Sequence, residues 1–196
     1  MDLLSLVGNP RITDYSFRVA DSIFTNGSGY KKEDLLALYG YHLGLCQPPN
    51  ALYPQSNWQS HRICLLSAIA VTLRDTSRIN QCDALLRRWI AESSCGCCDA
   101  RSQDFHWRDS CEYVVYGWWA LAKACVYLQS ANKKPYKPLF NNLFAWLAPY
   151  QAGTKKHVEF VNSKNMPADL QKPKYNKPFD PNYVINLTRV YDLLKS

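Results

Sequence analysis

Residues 109–129, DSCEYVVYGWWALAKACVYLQ, constrain the chain most. At 100° per residue Val114, Trp118, Leu121 and Cys125 share one apolar face, with Asp109, Tyr113, Tyr116 and Ala120 on the other. A helix this apolar belongs in a core, with other elements packed on it. It opens on titratable groups, because Asp104, His106, Arg108, Asp109, Glu112 and Tyr113 crowd its approach and first turn. A core helix with such a start is a place to look for chemistry. The same residues also fit a cap, an ion pair and two packed tyrosines.

The segments around it show the same 3.6-residue period between strong stops. Residues 1–13, with Gly8 and Pro10, read as an irregular arm. Helices are expected over 14–25, ending at Asn26-Gly27-Ser28-Gly29, and over 32–45, closed by Pro48-Pro49. A third runs from a Ser56 cap to about Leu73, a fourth over 77–91, a fifth over 109–129, a sixth over 139–147 and a last over 182–195. Residues 153–180 break the pattern as an irregular, lysine-rich segment, in which His157–Val161 alternates like a short strand or extended loop. Short connections between helices imply antiparallel hairpins packed side by side. The expectation is an all-α array of about seven helices in a single domain, 1–196, a length sufficient for a real core.

The chain is 47% hydrophobic and 20% charged, values of a globular and not a disordered protein. The net charge of +7 points to an anionic partner, and 13% aromatic residues suit either a packed core or a groove that stacks on rings. No apolar run reaches the roughly 20 residues that a membrane helix needs, so no membrane partner is expected. The start lacks a basic n-region, so the protein is either intracellular or already relieved of a leader. Eight cysteines are many for such a chain. Those at 46, 64, 82, 111 and 125 fall in helical patterns, whereas Cys95, Cys97 and Cys98 cluster in SSCGCCDA. This cluster admits a zinc site, a loop disulfide or free thiols. Its C-x-C-C spacing lacks the paired C-x2-C of common zinc modules, so no metal is assigned.

Two constellations could carry chemistry. The third helix opens SNWQSHR, which stacks Asn57 and His61 one turn apart as a grip for a carboxylate, or as a cap and a core histidine. Together with His106, Arg108, Tyr113 and Tyr116 they suit β-elimination at a uronic acid. That reaction neutralises a carboxylate, removes the proton on the neighbouring carbon and protonates the leaving oxygen. It needs no metal or organic cofactor. The second constellation is the late basic segment. Lys155, Lys156, His157, Lys164, Lys172, Lys174 and Lys177 lie among Tyr175 and Phe179, as a groove wall, a single-stranded nucleic-acid surface or a solvated loop. No nucleic-acid-binding signature accompanies it, which ranks that partner below a glycan.

The order SNWQSHRICLLSAIAVTL, DFHWRDSCEYVVYGWWALAKA, HVEFVNSK resembles the alginate-lyase-like polysaccharide lyases of the α/α-toroid type over roughly residues 25–190. The resemblance implies helical hairpins arranged as an incomplete toroid, because seven helices make only part of one. The missing wall is then absent or supplied by another chain. It implies cleavage of an alginate-like, uronate-containing polysaccharide. Asn57, His61 and Arg108 would handle the carboxylate, with His61 as a candidate base and Tyr113 as acid. His106, Tyr116, Lys156, His157 and Lys164 would bind substrate. The alternative is a non-catalytic relative that binds anionic glycan or nucleic acid, or serves in an assembly.

Overall fold

The helix around which the molecule packs is α3, Asn57–Thr72. Every side chain from Asn57 to Ala70 is buried except that of Trp58. The reason is that α1 (Ser16–Asn26), α2 (Lys32–Leu45), α4 (Thr76–Ser93) and α5 (Ser110–Asn132) all pack against it. The computed structural model describes residues 16–46, 57–93, 110–156 and 178–195, the side chains of 16–18, 92–93, 110–113 and 183 excepted. Two more helices complete the described chain, α6 (Asn141–Gln151) and α7 (Asn182–Tyr191). The fold is all-α, with seven helices and no strand among the described residues. No described helix is long and apolar enough to cross a membrane. The arm 1–13, the cysteine cluster and the His157–Val161 segment lie outside the described residues.

Contacts along the helices reveal their directions. Thr72, at the end of α3, donates to the carbonyl of Ile23 at the end of α1. His61, near the start of α3, meets Tyr116, near the start of α5. The Gln129 side chain, near the end of α5, donates to Leu193 O and accepts from Lys195 N, just past the end of α7. Helices α1, α3, α5 and α7 therefore form a row running one way, each packed on the next. Helix α4 returns against this row, since Trp89 donates to Ser60 and Lys134, just after α5, bonds to Asp83. Helix α2 also packs on α3, and its Tyr39 hydroxyl donates to Gln81 of α4. One apolar core, from Val19 to Leu194, runs through all of it.

Local chemistry explains the element ends. Gly27, in the 3-10 turn Gly27–Gly29, is required by close approach, because a Cβ there would collide with the Thr72 methyl of α3. Asp75 caps α4, its carboxylate accepting the backbone N–H of Arg78 at 3.0 Å, so the helix starts slightly earlier than Ser77. The sixth helix differs more. It is preceded by a 3-10 turn over Lys137–Phe140 and continues through Pro149 to Gln151, past the expected end at Leu147. Pro149 costs one backbone bond there, while its own carbonyl accepts from Thr154 N and Lys155 N, both at 3.0 Å. The last helix stops at Tyr191 in a turn and does not run on to Lys195.

Candidate functional site

Helix α3 brings its polar opening into the core. Asn57 and His61 do stack one turn apart, but they are 7% and 0% exposed, and Gln59, Ser60 and Arg62 beside them are also buried. Five polar side chains in the first six residues of a buried helix are unusual, because each must recover in the interior what it loses in water. Ser60 Oγ accepts from Trp89 Nε1 at 3.0 Å, and Gln59 Nε2 donates to Cys46 O at 3.4 Å. The Arg62 guanidinium lies 6.0 Å from the Trp58 ring. On α2, His42 is 1% exposed, and neither ring nitrogen has a hydrogen-bond partner among the described residues.

Helix α5 closes on this end through Gly117. A Cβ at Gly117 would stand 3.4 Å from Asn57 Cβ and 3.5 Å from Ser60 Oγ, ordinary van der Waals contact, which marks this as the place where the two helices meet. The rings of His61 and Tyr116 then meet at 4.3 Å between centroids, tilted by 42°. A half-buried stripe continues along α5 from Tyr116 to Trp119, 6.2 Å away, and on to Lys123, whose ammonium is 4.7 Å from the Trp119 ring. Lys123 pairs with Asp21 of α1, and Tyr127 one turn later donates to the same carboxylate. The stripe therefore ties α3 to α5 through the His61–Tyr116 contact and α5 to α1 through the half-buried Asp21.

These surroundings decide protonation. Burial pushes His61 down to about 3, with the Lys123 charge adding to the effect. Burial pushes His42 down to about 4, and the nearby Arg62 charge adds. Both imidazoles are neutral at physiological pH. A general base works best with a pKa near the operating pH, and His61 lies far below it. Buried thiols are quenched in the opposite direction. Cys46, Cys64, Cys82 and Cys125 are free, and burial raises Cys46 and Cys64 to about 12 and Cys82 to about 11. Among the described residues no group of three His, Cys, Asp or Glu side chains could hold a metal ion.

Of the residues expected to form a site, the fold brings together Asn57, His61 and Tyr116. Tyr113 lies on α5 one turn before Tyr116, with its side chain outside the description. His106, Arg108, His157 and Lys164 fall outside the described residues. Lys156 is exposed after α6, beside Lys155, whose ammonium stands 4.7 Å from the Tyr150 ring. Sequence reasoning missed Asp21, His42, Arg62 and Lys123. A lone Lys123 in WWALAKACVYL was the available signal, since a single charge in an apolar helix requires a partner. Comparison with family models, with curated proteins and with solved structures finds no match to the chain.

Proposed function

We propose that this chain is a non-catalytic binding protein for an anionic polymer, built as a short relative of the α/α-toroid lyase-like proteins. One observation carries the non-catalytic part. The residue best placed by sequence to act as base, His61, is 0% exposed and held neutral down to about pH 3, so it neither meets solvent nor takes a proton readily. The row α1-α3-α5-α7, with α2 and α4 packed against it, supports the toroid-type part, because two layers of alternating helices are what an open toroid wall requires. The net charge of +7 supports the anionic partner.

A second reading, β-elimination on a uronate polymer, is favoured by the 4.3 Å meeting of His61 with Tyr116, the pairing of α3 with α5 that such a site needs. One experiment separates the two. The protein is incubated with alginate, pectate, glycosaminoglycans and nucleic acid, while binding and the absorbance of unsaturated product are followed together. Salt-sensitive binding with no product supports the first reading. Product that vanishes in His61→Ala and in Tyr113→Phe or Tyr116→Phe establishes the second. Absence of binding to every polyanion defeats the binding reading.

A further inference from the structure

The far end of α5 is built differently from its start. There Asp83 of α4, 5% exposed, accepts from Tyr136 Oη at 2.8 Å, Arg87 Nε at 3.0 Å and Lys134 Nζ at 2.6 Å. Asn132 donates to Tyr136 Oη at 2.7 Å and accepts the Lys134 backbone N–H at 3.0 Å. Gln129 Oε1 takes the Lys195 N–H at 2.6 Å, and the Lys137 N–H reaches Lys195 O at 3.5 Å. The loop 133–137 and the segment after α7 are thus pinned to one buried frame. That frame carries Arg87, Lys133, Lys134, Lys137 and Lys195 at its surface, against the buried Asp83 and the exposed Asp192. Lys133 also holds φ at 60°, a left-handed conformation that costs a side-chain-bearing residue about 1 kcal/mol. Its ammonium donates to Ser130 O, whereas Arg87 and Lys134, although paired with Asp83, remain 40% and 46% exposed, so five cations face a partner against two carboxylates.

We infer that this basic corner, formed by Arg87, Lys134, Lys137 and Lys195, binds the phosphate backbone of duplex nucleic acid. The inference rests on the anionic-polymer reading above and names its partner. A solvated face has no need of a buried aspartate, a buried Gln129 and a half-buried Asn132 to hold its lysine-bearing backbone in place, whereas groups fixed before binding lose less entropy on meeting a partner. Among the described residues no fully exposed ring stands at the corner to stack on a sugar or an unpaired base. Tyr136 is 0% exposed, and the Lys137 ammonium lies 5.3 Å from the half-buried Tyr191 ring. Recognition there is Coulombic, by mostly lysine point charges, and it selects the polymer of highest charge density. Duplex DNA carries one charge per roughly 1.7 Å of axis, denser than a polyuronate with one carboxylate per sugar.

The full chain is titrated onto a fluorescent DNA duplex of about 30 base pairs, onto alginate and heparin, and onto vesicles containing phosphatidylserine, across a salt series. With four phosphates engaged, log K against log salt should slope at about −3.6, an affinity loss of about 150-fold between roughly 50 and 200 mM salt. The double variant Lys137→Gln/Lys195→Gln should flatten the slope to about −1.8, while Lys31→Gln/Lys32→Gln, of equal charge change, should leave it near the original. Circular dichroism confirms that each variant is folded. Equal losses in both double variants would overturn the assignment to this corner. Tighter binding to a glycan overturns the choice of nucleic acid and leaves the polymer-binding reading standing. Tighter binding to vesicles, or no binding to any polyanion, overturns both.

Discussion

At the start of α5, its neighbour α3 holds Asn57, Gln59, His61 and Arg62 inside the core, and the two nearby imidazoles are neutral. At the end of α5, Lys133, Lys134, Lys137 and Lys195 stand exposed or half-exposed around one buried carboxylate that three neighbours satisfy. In the first region the imidazoles gave up charge to be buried, beside an Arg62 whose charge helps keep His42 neutral. The second keeps its charge in water and buries only the frame beneath. Protonation should therefore govern the stability of the first, and ionic strength the binding of the second.

Acid should produce the largest effect, chiefly through the first region. A histidine whose folded pKa lies below its unfolded value of about 6.5 contributes no penalty above that pH, and destabilises progressively as pH falls toward the folded value. With His61 near 3 and His42 near 4, unfolding free energy should drop by an amount on the order of 5 kcal/mol between pH 7 and pH 4. Urea titrations at several pH values measure it. The variant His42→Leu/His61→Leu should remove this limb, and a wild-type protein equally stable at both pH values would break the contrast.

A smaller effect should come from the frame of the second region. Asp83→Ala leaves Tyr136 Oη without its acceptor in the interior and should cost about 2 kcal/mol by chemical denaturation. Its ion pairs add little, because Arg87 and Lys134 are 40% and 46% exposed. Burial alone would raise the Asp83 carboxyl, but bonds from Lys134, Tyr136 and Arg87 outweigh it and hold the group below the ordinary value. That contribution is present above about pH 4 and is lost only as pH falls further, below the histidine limb. The smallest effect should follow Lys137→Gln/Lys195→Gln, which should shift stability by less than about 0.5 kcal/mol while changing polyanion binding. A loss of several kcal/mol would make these lysines structural and erase the distinction between the two ends.

Much of the helical layout was readable from the sequence, because period and punctuation are local. Lys32–Leu45 lies between Gly29 and Pro48 and needed no tertiary information. Helix α6 ran past its expected end because Pro149 loses a single backbone bond, which packing of Leu147 and Tyr150 offsets. The pairing of α3 with α5 was also readable, through the titratable starts of both. What stayed hidden was the side on which polar groups would fall. A helix covered on all sides has no polar face, so Asn57 and His61, which on a surface helix would mark a cleft, mark an interior. Asp21 and Lys123 are 102 positions apart, and no local pattern joins them.

The common direction of α1, α3, α5 and α7 has an electrical consequence. Each helix terminus carries roughly half an elementary charge, positive at the start and negative at the finish. Helices aligned side by side add these fields and do not cancel them, except where α2 and α4 run back. The finish of the row, where α5 and α7 end together, is therefore a negative pole, and Lys133 and Lys195 sit on it. The positive sign of that surface is thus favoured by the backbone beneath, and an acidic residue at either position would be repelled by the helix ends around it.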